Sequence, residues 1–227
     1  MLFLVPTPIG NLRDITLRAL DVLKTADLIL CEDTRRTQKL LTAYDIKQPL
    51  MSFHEHTGDA KVRGIVKRLS EKQNIALVSD AGTPLISDPG FELVHEVIRE
   101  GLPLEVLPGP FAAANALVAS GLAVDSFSYF GFLSQKSAAR KKELLKLESR
   151  EETLIFYESP FRVGVVLEDM KDVLGDREAC VAREMTKKFE EIVRGSFPEL
   201  IKTFSGKKVL GEIVILVSGK GRKRLFG

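Results

Sequence analysis

Short apolar runs alternate with longer segments of helical periodicity through the first half of the chain. The runs have the length of buried strands, and the longer segments gather their apolar residues on one face, as amphipathic helices do. The predicted strands are residues 2–5, 28–31, 50–53, 75–78 and 104–107, and helices are predicted at residues 15–23, 60–69, 91–99 and 112–119, with Asp14 or Thr16 capping the first helix. Five such units in about 115 residues predict a parallel sheet covered by helices.

The second half resumes the alternation after residues 121–126, which have no periodic pattern. We therefore predict two α/β domains, residues 1–121 and 122–227. The predicted strands are residues 127–132, 153–157, 179–182, 190–194 and 209–217, and the predicted helices are residues 136–148, 163–174 and 197–204. We expect a mixed sheet in the second domain, with the last two of its strands adjacent.

Turn-forming and small polar residues from Ser79 to Gly90 follow directly after the predicted strand 75–78. A strand-to-helix connection usually has about 2–6 residues, whereas this one is longer and includes the carboxylates Asp80 and Asp88. Because ligands of open α/β sheets bind beyond the carboxyl ends of the strands, we interpret this segment as a ligand-binding loop. The alternative is an ordinary connection between a strand and a helix.

Charged residues also follow two other predicted strands, at Glu32–Arg36 and at His54–His56. Two histidines separated by one residue suggest a metal site, but no Cys or His cluster with a recognised ligand spacing accompanies them. A polar rim of the same crevice is the better interpretation, with His54 touching substrate and no metal bound.

The composition excludes several classes of protein. None of the apolar runs approaches the ~20 residues of a membrane span, and the run at residues 2–5 lacks the basic flank of a signal peptide, so we expect a cytoplasmic protein. Cys31 and Cys180 lie in predicted buried strands and are expected to be core thiols. Neither the dinucleotide-binding nor the phosphate-loop glycine motif occurs, which disfavours nicotinamide cofactors and nucleoside triphosphates.

Basic residues concentrate in the second half of the chain. Of the 33 Lys and Arg and 31 Asp and Glu, residues 1–115 hold 13 and 15, and the remainder hold 20 and 16. The predicted helix 136–148 contains Arg140, Lys141 and Lys142, and the tail 219–224 is cationic and expected to be mobile. These residues are candidate contacts to phosphates; the alternative for both stretches is a solvated surface.

Six motifs together resemble the bacterial ribosomal RNA small-subunit methyltransferase I family, within the tetrapyrrole methylase superfamily. They are spread over nearly the whole chain, and the segment Ser79–Gly90 is the most specific of them. The motifs are residues 6–12 (PTPIGNL), 32–35 (EDTR), 79–90 (SDAGTPLISDPG), 108–110 (PGP), 156–160 (FYESP) and 183–187 (REMTK). The chain departs from the family pattern at Phe111, at residues 134–136 and at Phe161.

The resemblance implies a tetrapyrrole-methylase-like fold that binds S-adenosylmethionine between its two domains, and a homodimer. It also implies that the acceptor is the ribose 2′-hydroxyl of a cytidine in small-subunit (16S) ribosomal RNA. The residues implied to line the donor site are Gly10, Asp80, Thr83, Phe111, Ala112, Phe156, Ala182 and Ile213. The candidate RNA contacts are Arg35, His54, Arg140, Lys141, Lys142 and Arg162.

Methyl transfer of this kind depends mainly on aligning the attacking oxygen with the methyl carbon and the sulfur. A ribose hydroxyl is a poor nucleophile, so a general base adds about 10²–10⁴-fold to the rate. The candidate catalytic residues are the carboxylates Asp88 and Glu158, with Lys187 as an electrostatic helper; the alternative for each is a helix cap or an ion pair.

Three other functions compete with this one. A methyltransferase of a tetrapyrrole or diphthamide substrate shares the fold and the donor but does not need the basic helix. A non-catalytic ribosome-assembly factor needs the basic helix but no donor pocket. A knotted RNA methyltransferase places its donor loops near the C-terminus, whereas the strongest loops here lie in the first half.

Overall fold

The computed structural model describes residues 1–55 and 57–222. The chain divides into two compact units, Met1–Phe111 and Ala112–Gly227. The predicted boundary after residue 121 lies further along the chain, beyond a helix that packs against strands of the second unit.

The first unit is a five-stranded sheet flanked by helices. Its strands are β1 (Leu2–Val5), β2 (Leu28–Cys31), β3 (Leu50–Ser52), β4 (Ile75–Val78) and β5 (Leu104–Val106), and its helices are α1 (Leu17–Thr25), α2 (Thr34–Ala43), α3 (Asp59–Ser70) and α4 (Phe91–Arg99). The strand order is β3-β2-β4-β1-β5, and every pairing is parallel. The predicted parallel sheet is thus confirmed.

Burial on both faces explains why β1, β2 and β4, the three inner strands, are continuous apolar runs. Alternate residues point to opposite faces, so that Leu30 and Leu77 join the core that includes Val62 of α3 and Leu93 of α4. The neighbouring residues of the same strands, with Leu23 of α1, join the core on the other face. The alternation of side-chain direction along each strand therefore determines which residues pack on each face of the sheet.

Side-chain caps set where the first two helices begin. Thr16, one of the two predicted caps, accepts a hydrogen bond from the backbone N–H of Ala19 at 3.0 Å. Asp33 caps α2 in the same way, with its carboxylate 2.9 Å from the N–H of Arg35. Helix α2 was not predicted from the sequence, because its apolar positions, among them Leu40 and Leu41, are few.

The second unit carries a mixed sheet, as predicted. Its strands are β6 (Phe127–Phe132), β7 (Thr153–Glu158), β8 (Glu178–Arg183), β9 (Glu191–Ser196) and β10 (Ile213–Val217), and its helices are α5 (Ala112–Ser120), α6 (Ser137–Leu145), α7 (Val163–Leu174) and α8 (Phe197–Phe204). The order is β6-β7-β10-β8-β9, with β6 and β7 parallel and the other pairs antiparallel.

The expectation that the last two strands are adjacent was wrong. β8 lies between them, because it pairs with β9 on one side and with β10 on the other. Helix α8 packs on both β8 and β9, and so carries the chain from β9 across β8 to the next position in the sheet.

Arg140 is one of the largest side chains buried in the second unit, with 2% of its surface exposed. Its guanidinium donates from Nε to the carboxylate of Asp169 at 2.8 Å, and from Nη1 to the carbonyls of Ser134 and Gln135, each at 3.0 Å. Burial alone raises the pKa of the Asp169 carboxyl, but hydrogen bonds from Ser137, Arg140 and Lys141 outweigh it and lower that pKa. This pair joins α6 to α7, so Arg140 is excluded from an RNA-binding surface.

The cationic tail is also less free than predicted. Lys220 pairs with Glu148 at 2.6 Å, and Arg222 pairs with Asp125 at 3.0 Å. Both side chains tie the end of the described chain to the second unit, which contradicts the predicted mobility as far as residue 222; Lys223 and Arg224 lie outside the described residues. None of the helices in the described ranges is long and apolar enough to cross a membrane.

We predict that Arg140→Ala lowers the free energy of unfolding by about 3–5 kcal/mol, because it leaves the buried Asp169 carboxylate without its guanidinium partner. Urea denaturation monitored by circular dichroism measures this. The matched control is Lys142→Ala, an exposed change on the same helix, which should stay within about 0.5 kcal/mol of the parent. Equal stability of the two variants would contradict a structural role for Arg140.

Candidate functional site

The loops that follow β1, β4 and β5 are held together at the carboxyl end of the first sheet. Thr7 and Gly82 exchange two backbone hydrogen bonds, of 2.9 and 3.0 Å. Thr83 donates from Oγ1 to the carbonyl of Pro110 at 3.0 Å. Because β1 lies between β4 and β5 in the sheet, these bonds join three neighbouring strand ends into one rim.

The long loop reaches this position through an unusual backbone. Leu85 and Ser87 have positive φ angles of 72° and 62°, and Gly82 and Gly90 have φ angles of 96° and 134°. A Cβ at Gly90 would lie 2.7 Å from Cδ2 of Leu77 and 3.0 Å from Cδ1 of Leu85. A positive φ at a residue other than glycine costs of order 1–3 kcal/mol and persists only where the surroundings enforce it.

Asp80 connects the end of β4 to the end of β2. Its Oδ1 accepts a hydrogen bond from the backbone N–H of Asp33 at 3.1 Å, and its Oδ2 lies 3.3 Å from a guanidinium nitrogen of Arg36. The charged residues after β2 were noted in the sequence, but Arg36 was not among the predicted site residues. The feature that could have indicated Arg36 is the position of the charged segment Glu32–Arg36, directly after a strand that neighbours β4.

Asp88 is the carboxylate most altered by its surroundings. Burial, together with the negative charges of Glu32 and Asp80, raises its pKa from 3.8 to about 7. Asp88 therefore exchanges a proton near neutral pH, which suits a general base. The role of Glu32 was not predicted, because it depends on the parallel order that sets β2 beside β4.

Two clefts open beside these side chains. One, of about 210 Å³, is lined by Asp88, His54 and Thr57, among others. The other, of about 480 Å³, is lined by Asp80, Arg35, Arg36 and again His54. The structure thus brings the predicted residues Asp80, Asp88, Arg35 and His54 to one edge of the first unit.

The other predicted donor residues differ in exposure. Gly10 is exposed and Phe111 is half-buried, at opposite ends of the first unit's sequence. In the second unit, Ala112 is half-buried at the start of α5. Phe156, Ala182 and Ile213 are buried on neighbouring strands of the second sheet. Their contact with a donor stays a prediction from the resemblance.

Glu158 is held by its neighbours rather than free to move. Its side chain is 1% exposed, and its Oε1 accepts from the N–H of Ser159 at 2.6 Å and lies 2.5 Å from Nη2 of Arg162. Its Oε2 and the Nη1 of Arg162 have no hydrogen-bond partner among the described residues. This geometry favours the ion-pair interpretation for Glu158 and leaves Asp88 as the stronger candidate base.

Lys187 lies between two carboxylates of the second unit, 2.8 Å from Glu184 and 3.0 Å from Glu212. Burial alone lowers the pKa of this amine, but the hydrogen bonds to both carboxylates raise it above its usual value. Lys187 therefore stays charged, and its two ion pairs match the alternative stated for it; the role of an electrostatic helper stays a prediction.

The predicted RNA contacts differ in whether they form ion pairs. Lys141 pairs with Asp172 at 2.7 Å, and Arg35 pairs with Asp33 at 2.9 Å although it is exposed. Lys142 is exposed and forms no ion pair among the described residues. A cluster of three or more His, Cys, Asp or Glu side chains suited to a metal is absent from the described part of the chain; His56 lies outside that part. Cys31 and Cys180 are buried free thiols, as predicted.

Comparison with known proteins gives a consistent picture. The sequence pattern of the family described as Tetrapyrrole (Corrin/Porphyrin) Methylases matches residues 1–201. Proteins named ribosomal RNA small subunit methyltransferase I are similar to the chain over nearly its whole length. The one from Bacillus subtilis (strain 168) is 47% identical over 99% of this chain and 77% of its own. The one from Thermotoga maritima is also 47% identical, over 96% and 98%.

Solved structures share the fold at lower identity. A cobalamin biosynthetic enzyme, cobalt precorrin-4 methyltransferase, matches with a TM-score of 0.71 at 20% identity, over 96% of this chain and 94% of that one. Diphthine synthase matches with a TM-score of 0.71 at 14% identity, over 96% and 89%. These two likenesses support the fold and no more.

We predict that Gly90→Ala destabilises the chain by about 1–3 kcal/mol, because alanine is strained at this φ and its Cβ meets Leu77 and Leu85. The matched control is Gly64→Ala within α3, where a Cβ meets nothing within 4 Å; that change should stabilise by up to about 1 kcal/mol. Thermal and urea denaturation compare the two. A neutral Gly90→Ala would contradict the enforced loop conformation.

Proposed function

Since this chain belongs to the tetrapyrrole methylase family, and within it to the ribosomal RNA small subunit methyltransferase I family, we propose that it transfers a methyl group from S-adenosylmethionine to small-subunit ribosomal RNA. The observation that carries the proposal is the identity of 47% over almost the whole chain to relatives of that name. The arrangement of the strand-end loops supports it independently.

The loops of the first unit fit a donor of this chemistry. S-adenosylmethionine supplies a methyl group on a positively charged sulfur and has no phosphate. A Cβ at Gly82 would lie 3.3 Å from the side chain of Ile9 and 3.5 Å from the carbonyl oxygen of Pro110, so the lack of a side chain at Gly82 lets the loops after β1, β4 and β5 pack closely here. Asp80 and Asp88 supply negative charge at the same edge, and Gly10 and Thr83 are the proposed backbone and hydroxyl contacts.

Asp88 is the proposed general base. With a pKa of about 7, its carboxylate accepts the proton of a ribose hydroxyl near neutral pH, while Glu32 and Asp80 keep that pKa high. The proposed acceptor is the 2′-hydroxyl of a cytidine, and the exposed Lys142 replaces Arg140 as the proposed phosphate contact of α6. A cytoplasmic location and a homodimer belong to the same proposal.

The relatives named for ribosomal RNA favour this substrate over the other candidates. The two solved tetrapyrrole and diphthine enzymes compared are at most 20% identical to this chain, whereas the relatives named for ribosomal RNA are 47% identical. Calorimetric titration with S-adenosylmethionine distinguishes the enzyme from a non-catalytic assembly factor, because an assembly factor needs no affinity for the donor.

We predict efficient methyl transfer to assembled small subunits and slow transfer to a short naked RNA of the same local sequence. Two small α/β units without a separate RNA-binding module have little surface for reading sequence, so the folded particle supplies most of the recognition. Incorporation of tritiated methyl groups into both substrates at matched concentration tests this. Equal rates on both would show that local sequence suffices, and no transfer to either would refute the proposed activity.

For the donor, we predict that Thr83→Val weakens S-adenosylmethionine binding by about 2- to 13-fold, the equivalent of one hydrogen bond worth about 0.5–1.5 kcal/mol. The change removes the bond that positions the loop against Pro110 and keeps the side-chain shape. Isothermal titration calorimetry measures it. Thr25→Val is the control, since it also removes a hydroxyl-to-carbonyl bond but on α1; an equal effect there would argue against a donor role for Thr83.

For the base, we predict that the transfer rate of the parent falls about tenfold per pH unit below about pH 7 and levels off above it, because only the deprotonated Asp88 accepts a proton. Asp88→Asn should lower the rate by about 10²–10⁴-fold and remove this dependence. Initial rates at saturating donor and RNA measure both. A variant that keeps the parent's rate and profile would assign the base elsewhere.

A further inference from the structure

A groove on the outside of the first unit is not used by the proposed mechanism. It lies between α3 and α4 and has a volume of about 530 Å³. Its lining residues are Asp59, Val62, Arg63, Phe91, Glu92, His95, Glu96 and Arg99.

An exposed pair of stacked rings forms one wall of this groove. Phe91 and His95 are one helical turn apart on α4, with ring centroids 6.2 Å apart and planes inclined by 25°. Phe91 is 72% exposed although it is a large apolar side chain. A flat, exposed aromatic surface is what proteins use to stack the unpaired bases of single-stranded RNA.

The rest of the lining is charged. Arg63 has no ion pair among the described residues, whereas Arg99 lies 2.6 Å from Glu96 and 3.1 Å from Glu100. Asp59 and Glu92 also line the groove. The centres of protein–protein interfaces are depleted of charge, so this lining disfavours a protein partner. Carboxylates repel a phosphate but accept hydrogen bonds from the amino groups of bases, so the groove suits a base better than a phosphate.

The groove adjoins the cleft that is lined by Asp88. Phe91 and Glu92 line both, and Asp88 precedes Phe91 by three residues in the chain. An RNA strand whose ribose reaches Asp88 therefore has the groove within reach of a neighbouring nucleotide.

We propose that this groove binds an unpaired base of the RNA substrate, next to the nucleotide that is methylated, and that the base stacks on Phe91. The inference rests on the proposed function and extends it from the reacting ribose to a flanking nucleotide. Phe91 is accordingly a residue that positions the strand, and Arg63 supplies a guanidinium to the edge of the stacked base.

The test begins with Phe91→Ala and a fluorescently labelled single-stranded RNA of about 10 nucleotides, taken from the segment of small-subunit RNA that the parent methylates. Because this RNA lacks the recognition that the folded particle supplies, the protein is titrated up to saturation of the parent's signal. Anisotropy titration should show about a 5- to 150-fold loss of affinity, the range for losing one base–aromatic stack. Phe91→Tyr, which keeps the ring, should bind as the parent does. The matched control is Ile98→Ala on the same helix, since Ile98 is 62% exposed and does not line the groove.

A set of modified RNAs distinguishes the loss of stacking from a general loss of protein structure. In each RNA, one of the nucleotides flanking the methylated nucleotide is replaced by an abasic nucleotide. At the nucleotide whose base stacks on Phe91, the abasic replacement should weaken binding to the parent about as much as Phe91→Ala weakens binding to the intact RNA. The same replacement should not weaken binding to Phe91→Ala any further. Equal losses for parent and variant at every position would overturn the proposal, because Phe91 would then act without a base.

Three further outcomes would overturn it. The first is unchanged affinity in Phe91→Ala, and the second is the same loss in Ile98→Ala. The third is a change of sedimentation coefficient in Phe91→Ala, which would assign the groove to a second copy of the chain. Failure of the proposed function is recognised separately, because the parent would then transfer no methyl group to assembled small subunits.

Discussion

The pair of backbone hydrogen bonds between Thr7 and Gly82 is the constraint on which the site depends. It fastens the long loop after β4 to the loop after β1, and the bond from Thr83 to Pro110 extends the attachment to the loop after β5. Beyond the part fixed at Gly82 and Thr83, the loop adopts positive φ angles at Leu85 and Ser87 that an unsupported chain would avoid. The position of Asp88 follows from that conformation.

The chemistry of the site follows from the order of the strands. Parallel strands end at the same edge of the sheet, and the order β2-β4 brings Glu32 and Asp80 near Asp88. Like charges disfavour a further ionised carboxylate, and burial acts in the same direction. Arg36 pairs with Asp80, and burial of Asp88, followed by the negative charges of Glu32 and Asp80, raises the pKa of Asp88. A stable fold thereby holds a carboxyl group that is half-ionised near neutral pH.

The sequence predicted what local patterns determine. The buried strands were correct because an apolar run at a strand's length has few alternatives, and the long loop was recognised from its glycines and prolines. Contacts between residues that are distant in the sequence could not be predicted from local patterns. The burial of Arg140 depends on Asp169, a full helix and strand further along the chain, and the position of β10 depends on which edge of β8 remains free. The effect of Glu32 on the pKa of Asp88 could be recognised only once the strand order was known.

The measurement that tests this account most directly is the titration of the Asp88 carboxyl by ¹³C nuclear magnetic resonance in chain labelled at aspartate, with Asp88→Asn used to assign the signal. The account predicts a midpoint near pH 7, raised from 3.8 by burial and by Glu32 and Asp80, and a lower midpoint in Glu32→Gln. A midpoint near pH 4 in the parent would contradict it, because Asp88 would then be an ordinary carboxylate and the loop would not create a base.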